Sequence, residues 1–499
     1  MSTTLTTPPF GSVPYSTHSE EKNEVRIVAT NFQSISNSSS PSPSPDCTDK
    51  NEAEIFTQNE VNVAKALQEQ QPWDTVNAVI KFRNSDHQFW WDTTGRLFAR
   101  LIEGAGYTAA EQYRELFFYA LWVAPELGPS PDEHGQVRRW RSTGTPDSTP
   151  IDFSWEWGLD GTGVVRYSFE PIGDHAGTAL DPLNQYATES WVNRLKQHGL
   201  VPSLDLEWYR HFTNEILLSP EVVREKTAQG FIEETTPKAG TVVALDIEKG
   251  GPVMKIYIYP GLKAAELGIS NLDVVAQSIR SLPAEQYHSI QAHVEPLLEY
   301  LYEGTEKWGF ETGILSIDLV DPKDARMKIY IRAPHTTVDY LMDALTLGGR
   351  HDLTAAYSQE VIGDLKDLWQ AFLADAPAKL SAEVPGRASP GFYYTVRAGK
   401  PVSPKMYLSP FTFCKNDADV LSRLHTFFST RTQANKPLMV RQMENYEQAM
   451  IGAFGSKTLE KRCGASYYIG AALQKDQLRV VTYLTPQTFE CEQDRLRGD

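Results

Sequence analysis

A basic residue and a tyrosine recur two positions apart in three alternating apolar segments. The pairs are Lys255 with Tyr257 in MKIYIYP, Lys328 with Tyr330 in ARMKIYIRAP, and Lys405 with Tyr407 in SPKMYLSP. Because residues i and i+2 of a strand share one face, each segment presents a cation beside an aromatic ring. Such a face can bind an anion that is joined to an apolar group.

These segments belong to five predicted β-hairpins, each bounded by turn residues. The hairpins are PIDFSWEWG with GVVRYSFEPIG, GTVVALDIE with PVMKIYIYP, GILSIDLV with ARMKIYIRAP, GFYYTVRAG with SPKMYLSP, and ASYYIGAAL with QLRVVTYLTP. Polar landmarks on the second strands, at Arg166, Lys255, Lys328, Lys405 and Tyr483, lie 89, 73, 77 and 78 residues apart. The interval indicates one supersecondary unit repeated five times.

The segments between the hairpins have helical periodicity, as in AAEQYRELFFYALWVAPELGP and PAEQYHSIQAHVEPLLEYLYEGTEKWG. Ten antiparallel strands with their own helices close most naturally into a barrel, because closure removes exposed edges. The sequence therefore predicts an α+β fold with the helices outside. Met254 and Ile256 should pack under the helices, whereas Lys255 and Tyr257 should line the lumen.

Composition narrows the classes of partner. The 499 residues carry a formal net charge of −17, which disfavours binding to nucleic acid or to an anionic membrane. The N-terminus lacks a signal-peptide pattern, and the longest apolar segment, 116–123, is much shorter than the roughly 20 residues of a membrane-spanning helix. The four cysteines form no CxxC pair, so neither zinc nor a disulfide framework is indicated, and a reducing cytoplasm is expected.

Two regions of the chain differ in composition. Residues 1–50 are rich in Ser, Thr, Pro and Asn, and this composition predicts a disordered leader. Residues 51–499 are predicted to form a single barrel domain.

The residues predicted to face the lumen are mostly cations and tyrosines, with few acids among them. They are Arg166, Lys255, Arg326, Lys328, Arg332, Lys405 and Arg479, with Tyr257, Tyr330, Tyr407 and Tyr483. Converging cations would bind a diphosphate, and the negative faces of the rings would stabilise a carbocation. A single copy of the motif is equally typical of a half-solvated antiparallel strand, so the repetition carries this interpretation.

Several ordered motifs resemble the fungal dimethylallyltryptophan synthase type of aromatic prenyltransferase, which has the ABBA barrel fold of five αββα repeats. The motifs are WWDTTG with the following GY and APELGP, TPIDFSWEWG, VRYSFEPIG, DPLNQ, KIYIYP, RMKIYIRAP and PKMYLSP, within residues 55 to 490. The resemblance implies transfer of a dimethylallyl group from dimethylallyl diphosphate to an aromatic acceptor, without a metal or other cofactor.

The resemblance also implies a role for each matching residue. The prenyl diphosphate would be bound by Arg166, Lys255, Arg326, Lys328 and Lys405. The allylic cation would be shielded by Tyr257, Tyr330, Tyr407 and Tyr483. Asp152 would be the catalytic residue that hydrogen-bonds the acceptor.

Three positions depart from the family pattern. Asp152 replaces the usual Glu, and its side chain is shorter by about one methylene. The alternative is that Asp152 only starts a strand or caps a turn. Glu156 is a weaker candidate for the base. Arg479 stands where a tyrosine is common. The strand GTVVALDIE lacks the lysine of enzymes that alkylate C4 of free tryptophan, which disfavours that reaction.

The expected acceptor is an indole-containing secondary metabolite. Two alternatives stay open: a phenolic, tyrosine or polyketide acceptor with C- or O-prenylation, and a noncatalytic carrier of a phosphorylated amphipathic ligand. A homodimer is a further expectation.

Overall fold

The computed structural model describes residues 71–158, 160–232, 238–248, 251–382, 384, 388–431 and 436–489. The predicted leader, residues 1–50, lies outside the described residues.

Ten antiparallel strands form a closed barrel, which confirms the predicted ABBA architecture. Each strand pairs with its neighbours in sequence, and β1 pairs with β10 to close the sheet. The strands are β1 Ile151–Trp157, β2 Gly163–Phe169, β3 Thr241–Glu248, β4 Gly251–Ile258, β5 Glu311–Asp318, β6 Met327–Arg332, β7 Gly391–Arg397, β8 Lys400–Leu408, β9 Ser466–Gln474 and β10 Gln477–Leu484. They form the five predicted hairpins.

Side-chain alternation divides each strand between the core and the lumen. On β4, Met254 and Ile256 are fully buried in the hydrophobic core, whereas Tyr257 lines a cavity inside the barrel. The apolar residues thereby leave water and hold the helices against the outside of the sheet.

Helices surround the barrel. The α-helices are α1 Pro72–Val79, α2 Ser85–Trp90, α3 Arg96–Gly104, α4 Ala109–Trp122, α5 Gln185–Gln197, α6 Glu207–Ile216, α7 Pro220–Ala228, α8 Gly261–Leu267, α9 Asn271–Arg280, α10 Ala284–Trp308, α11 Val338–Thr346, α12 Gln359–Leu373, α13 Pro410–Phe413, α14 Asp417–Thr430, α15 Lys436–Phe454 and α16 Ser456–Lys461. A π-helical turn, Trp91–Gly95, joins α2 to α3, and short 3-10 turns occur at Ala124–Glu126 and Leu353–Ala355. Among the described helices, none is both long and apolar enough to cross a bilayer.

Local sequence sets where two of these helices begin. Thr108 and Glu111 form a reciprocal capping box at the start of α4, and Ser270 and Asp273 form another at the start of α9. Each box satisfies backbone N–H groups that the first helical turn leaves without partners. The helices then bury one apolar face against the sheet.

One irregularity of the sheet affects the lumen. Tyr483 of β10 pairs with Tyr468 of β9, but the next residue, Leu484, pairs with Ser466. Tyr467 is therefore an extra residue in a β-bulge. A bulge breaks the alternation of side chains and turns one of them toward the other face.

Candidate active site

A belt of alternating charge runs around the lumen across strands β1 to β6. Carboxylates lie on the odd-numbered strands, and cations lie on or beside the even-numbered ones. The belt acids are Glu156 on β1, Asp246 on β3 and Asp318 on β5. The belt cations are Arg166 on β2, Lys255 on β4, and Arg326 and Lys328 at β6, and the belt continues to Lys405 on β8 and Arg479 on β10. Register produces this order: Arg166 stands opposite Asp246, and Lys255 stands opposite Asp318.

Ion pairs link the belt on both sides of Asp246. Arg166 Nη2 lies 2.9 Å from Glu156 Oε2, and Arg166 Nε lies 3.1 Å from Asp246 Oδ1. Lys255 donates to the other oxygen of Asp246, and Arg479 pairs with Glu156. These contacts hold long, otherwise mobile side chains in fixed positions before any ligand binds.

Asp318 likewise forms ion pairs with two further cations. Its Oδ2 lies 2.5 Å from Arg326 Nε, and its Oδ1 lies 3.1 Å from Lys328 Nζ. Burial opposes ionisation of Asp318 and Asp246, but the neighbouring cations outweigh it and hold the pKa of both carboxyls below the usual value. Burial lowers the pKa of Lys328 to about 8, although Asp318 opposes the shift.

Lys405 interrupts the alternation of charge. Tyr393 stands opposite it on β7, and Gly470 on β9 approaches so closely that a Cβ there would lie 2.8 Å from Lys405 Cε. Within the described part of the chain, no carboxylate lies within ion-pair distance of Lys405. Its Nζ instead lies 5.4 to 5.8 Å from the ring centres of Tyr393, Tyr407 and Tyr483. Burial, with the charges of Arg166 and nearby lysines, lowers the pKa of Lys405 well below its ordinary value.

The belt carries excess positive charge. Six cations and three carboxylates leave a formal net charge of three positive when every group is ionised. In a protein of net charge −17 this is a strong local reversal of sign. A multiply charged anion is the ligand that would neutralise it.

A layer of tyrosine rings lies next to the belt. Ring centres are 5.9 Å apart for Tyr257 and Tyr330 and 6.1 Å apart for Tyr330 and Tyr407. The hydroxyl oxygens of Tyr407 and Tyr483 lie 2.9 Å apart. The four tyrosines predicted from the sequence therefore lie together. Tyr393 joins them, with its ring centre 4.9 Å from that of Tyr330.

Asp152 lies beyond the tyrosines, at the wall of a cavity of about 670 Å³. Its Oδ1 accepts hydrogen bonds from the Ser168 N–H, at 3.1 Å, and from the Ser168 hydroxyl, and its Oδ2 accepts one from the Tyr467 hydroxyl. Burial raises the pKa of Asp152 to about 6, although these hydrogen bonds favour the ionised form. Asp152 is therefore a buried carboxyl group whose pKa lies closer to neutral pH than that of an ordinary aspartate.

A second cavity, of about 680 Å³, lies on the other side of the belt, against Glu156, Arg166 and Arg479. Asp152 and Glu156 are four residues apart on β1, a separation of roughly 13 Å along a strand. The belt thus separates two ends of the lumen. We call the cavity beside Asp152 the acceptor-side cavity, after the role that the motif resemblance implies for Asp152, and the one beside Glu156 the belt-side cavity.

The structure places in the lumen each residue to which the family resemblance gives a site role, but Arg332 lies outside the belt, at the cavity beside Asp152, with its Nη2 2.6 Å from the Tyr468 hydroxyl. It also corrects two expectations. Acids are not scarce in the lumen, because Glu156, Asp246 and Asp318 all pair with belt cations. Glu156 is not a second base beside Asp152, because it lies at the other cavity and pairs with Arg166 and Arg479.

Several lumen residues were missed in the sequence. Asp246, Asp318 and Tyr393 lie on the first strands of their hairpins, and the same period-two alternation could have found them there. Tyr467 is different, because the bulge places it against the rule of alternation. Within the described residues, no group of three His, Cys, Asp or Glu side chains is arranged to hold a metal ion.

Comparisons with known proteins identify the family and relatives of the chain. Residues 86–442 match the family model described as tryptophan dimethylallyltransferase. The chain is 31% identical over 374 residues to a 7-dimethylallyltryptophan synthase from Aspergillus fumigatus, covering 72% of this chain and 77% of that protein. It is 29% identical over 411 residues to a 4-O-dimethylallyl-L-tyrosine synthase from Claviceps purpurea, covering 81% of this chain and 88% of that protein.

A solved structure shares the fold. The crystal structure of NotF in complex with brevianamide F and DMSPP superposes with a TM-score of 0.69 at 23% identity, covering 84% of this chain and 100% of that chain.

Proposed function

The chain belongs to the tryptophan dimethylallyltransferase family, which confirms the resemblance of its motifs, and from this premise we propose that it transfers a dimethylallyl group from dimethylallyl diphosphate to an indole acceptor. The observation that carries the proposal is the order of groups along the lumen. A net-positive belt, a tyrosine layer and a buried carboxylate follow one another between two cavities.

The belt would bind the diphosphate of the donor. Its arginines supply paired N–H donors and its lysines supply compact charges. As the allylic C–O bond breaks, its electron pair leaves with the diphosphate, and fixed cations stabilise that charge without reorganising. The NotF structure, a complex with brevianamide F and DMSPP, supports a prenyl donor in such a barrel.

The tyrosine layer would hold the allylic cation. The ring faces are electron-rich, so Tyr257, Tyr330, Tyr407 and Tyr483 attract a cation at their centre and exclude water that would capture it. Tyr393 extends this layer.

The acceptor would occupy the acceptor-side cavity. There the negative charge of Asp152 would polarise the indole N–H and raise the electron density of the ring. A ring carbon then attacks the allylic cation, a C–C bond forms, and transfer of the ring proton to the departed diphosphate or to water restores aromaticity. The relatives are named for products of tyrosine and of tryptophan, and the family model is described as tryptophan dimethylallyltransferase. The family description therefore favours the indole.

Other expectations from the sequence stay predictions. They are turnover without a metal or other cofactor, a cytoplasmic location, a homodimer, and a single domain over residues 51–499. The noncatalytic carrier is not favoured, because the relatives are named as synthases and transferases.

The test is product formation by the purified full-length protein. It would be incubated with dimethylallyl diphosphate and, separately, L-tryptophan, a tryptophan-containing cyclic dipeptide and L-tyrosine, with and without a chelator. Products of the indoles heavier by one C5 unit, with equal yield in the chelator, are expected. A product from tyrosine alone would favour the phenolic alternative, and donor binding without any product would favour the carrier.

A further inference from the structure

Two consecutive tyrosines of β9, Tyr467 and Tyr468, both line the acceptor-side cavity. In a regular strand their side chains would point to opposite faces. The bulge between Tyr468 and Ser466 removes that alternation, and the two ring centres lie 4.5 Å apart. Bulges are common next to active sites because they redirect a side chain in this way.

Tyr467 reaches across a neighbouring strand to contact Asp152. Asp152 lies on β1, and β10 separates β1 from β9. The Tyr467 hydroxyl donates its hydrogen to Asp152 Oδ2, while Ser168, directly opposite Asp152 on β2, donates to Oδ1. Protein donors therefore contact both carboxylate oxygens before an acceptor enters.

The Tyr467 oxygen keeps acceptor capacity of its own. A phenolic oxygen donates one hydrogen bond and can also accept one. Burial, and next the negative charge of Asp152, raise the pKa of Tyr467 well above its ordinary value, so the phenol stays protonated and keeps donating to the carboxylate. A donor group on a molecule in the cavity can then bond to Tyr467 while Tyr467 bonds to Asp152.

We propose that Tyr467 is the residue that contacts the acceptor's N–H or O–H group, and that Asp152 acts through it. The acceptor donates a hydrogen bond to Tyr467 Oη, and Tyr467 donates to Asp152 Oδ2. Both bonds strengthen as the acceptor ring gives up electron density, because each polarises the other. No proton needs to leave the acceptor for this effect. The inference rests on the proposed function and extends the site to Tyr467.

The arrangement also accounts for the short carboxylate. An aspartate at 152 leaves space for the Tyr467 phenol between the strand and the acceptor. The phenol then spans the distance between the shorter carboxylate and the acceptor. A glutamate at 152 would enter the space of the Tyr467 hydroxyl. The two positions should therefore depend on each other, because they are in direct contact.

The test is a double-mutant cycle with Tyr467→Phe and Asp152→Glu, measured as kcat/KM for the acceptor at saturating dimethylallyl diphosphate. Tyr467→Phe should lower kcat/KM by roughly 10- to 100-fold, the usual effect of losing a hydrogen bond to a charged group. Asp152→Glu alone should also lower it. In the double variant the longer carboxylate should restore part of the loss of Tyr467→Phe.

The pH profile separates this role from a structural one. The Tyr467 hydrogen bond lowers the pKa of Asp152, so its removal should move the acid limb of kcat/KM to higher pH. Tyr468→Phe is the matched control. The Tyr468 hydroxyl lies 2.6 Å from Arg332 Nη2. Because the Tyr468 hydroxyl bonds to Arg332, the acid limb of kcat/KM should not move in Tyr468→Phe.

The outcomes are distinct. If the wild type forms no prenylated product with any acceptor, the proposed function fails and the inference fails with it. If the wild type is active and Tyr467→Phe matches it, or if Asp152→Glu deepens the loss in the double variant, the inference alone is overturned. Should Tyr467→Phe fail to fold, site-specific 3-fluorotyrosine at position 467 keeps the ring and hydroxyl. Its more acidic phenol should then move the acid limb to lower pH, and an unmoved limb overturns the inference.

Discussion

Arg166 and Asp246 stand directly opposite each other on β2 and β3, with the guanidinium Nε 3.1 Å from the carboxylate Oδ1. The same carboxylate also pairs with Lys255. One buried acid thus holds two of the cations that would bind the donor. Its carboxylate already supplies part of the negative charge that neutralises them. An incoming diphosphate would share these cations with it.

Asp246→Asn should therefore destabilise the empty protein and make its stability depend more on ligand. Breaking a buried ion pair by removing one partner costs about 3–5 kcal/mol, because the other charge stays buried. Inorganic diphosphate should compensate for the lost carboxylate. We expect a lower Tm than in the wild type and a larger rise in Tm on adding diphosphate.

The control for this melt is Asp321→Asn, which removes an exposed carboxylate paired with Lys323. Asp321→Asn should change neither the Tm of the empty protein nor the rise in Tm on adding diphosphate. An equal diphosphate-induced rise in Tm for Asp246→Asn and the wild type would contradict the shared use of Arg166 and Lys255.

Lys405 should take up a proton when the donor binds. Burial and the neighbouring cations favour its neutral form in the empty lumen, and the negative charge of a diphosphate would favour the ammonium form. Titration calorimetry with dimethylallyl thiolodiphosphate in buffers of different ionisation enthalpy measures this uptake, at a pH where the diphosphate is fully ionised. Lys405→Gln should take up fewer protons than the wild type, whereas Lys323→Gln should not differ. Equal uptake by Lys405→Gln and the wild type would refute the assignment.

The dependence of activity on pH should reflect Asp152. Its pKa is raised to about 6, so the ionised form that accepts a hydrogen bond is lost as pH falls through that value. At saturating donor, kcat/KM for the acceptor should rise with pH through about 6 and then level. An acid limb near the ordinary pKa of aspartate would show that burial does not perturb this group in the working enzyme.

Opening the tyrosine layer should divert the cation to water. Tyr330 lies between Tyr257 and Tyr407, so Tyr330→Leu removes a ring from the centre of the layer. We expect a higher ratio of C5 alcohol to prenylated product, measured by chromatography of both. Tyr186→Leu, at a tyrosine that is 49% exposed on α5, is the matched control. An unchanged ratio in Tyr330→Leu would argue against shielding by this ring.

Much of the barrel was predictable, because its signals are local and repeated. The period-two alternation of MKIYIYP predicts which side of β4 faces the core, and Met254 and Ile256 are indeed fully buried. The five repeated hairpins predict closure, and the motifs around Arg166 and Lys328 predict that the cations converge. These predictions follow from patterns within single strands and from the repetition of one hairpin along the chain.

The pairing between strands was not predictable in the same way. The positions of Asp246 and Asp318 opposite Arg166 and Lys255 depend on register, which the sequence of one strand does not specify. The lumen position of Tyr467 depends on a bulge, which reverses the expected face of a single residue. These cross-strand features determine how the cations are held and what contacts Asp152.

We propose that the belt binds the donor and that the Asp152 end of the lumen serves the acceptor. The most direct test compares Asp152→Asn and Lys328→Gln in two measurements: affinity for dimethylallyl thiolodiphosphate, and kcat/KM for the acceptor at saturating dimethylallyl diphosphate. Lys323→Gln is the control, since this exposed lysine lies five residues from Lys328.

We predict that Asp152→Asn binds the thiolodiphosphate within about twofold of the wild type but loses at least roughly 100-fold in kcat/KM for the acceptor. Lys328→Gln should weaken thiolodiphosphate binding by about 10- to 100-fold. If Asp152→Asn weakens donor binding as much as Lys328→Gln does, or keeps wild-type kcat/KM, the division of the lumen into these two parts is wrong.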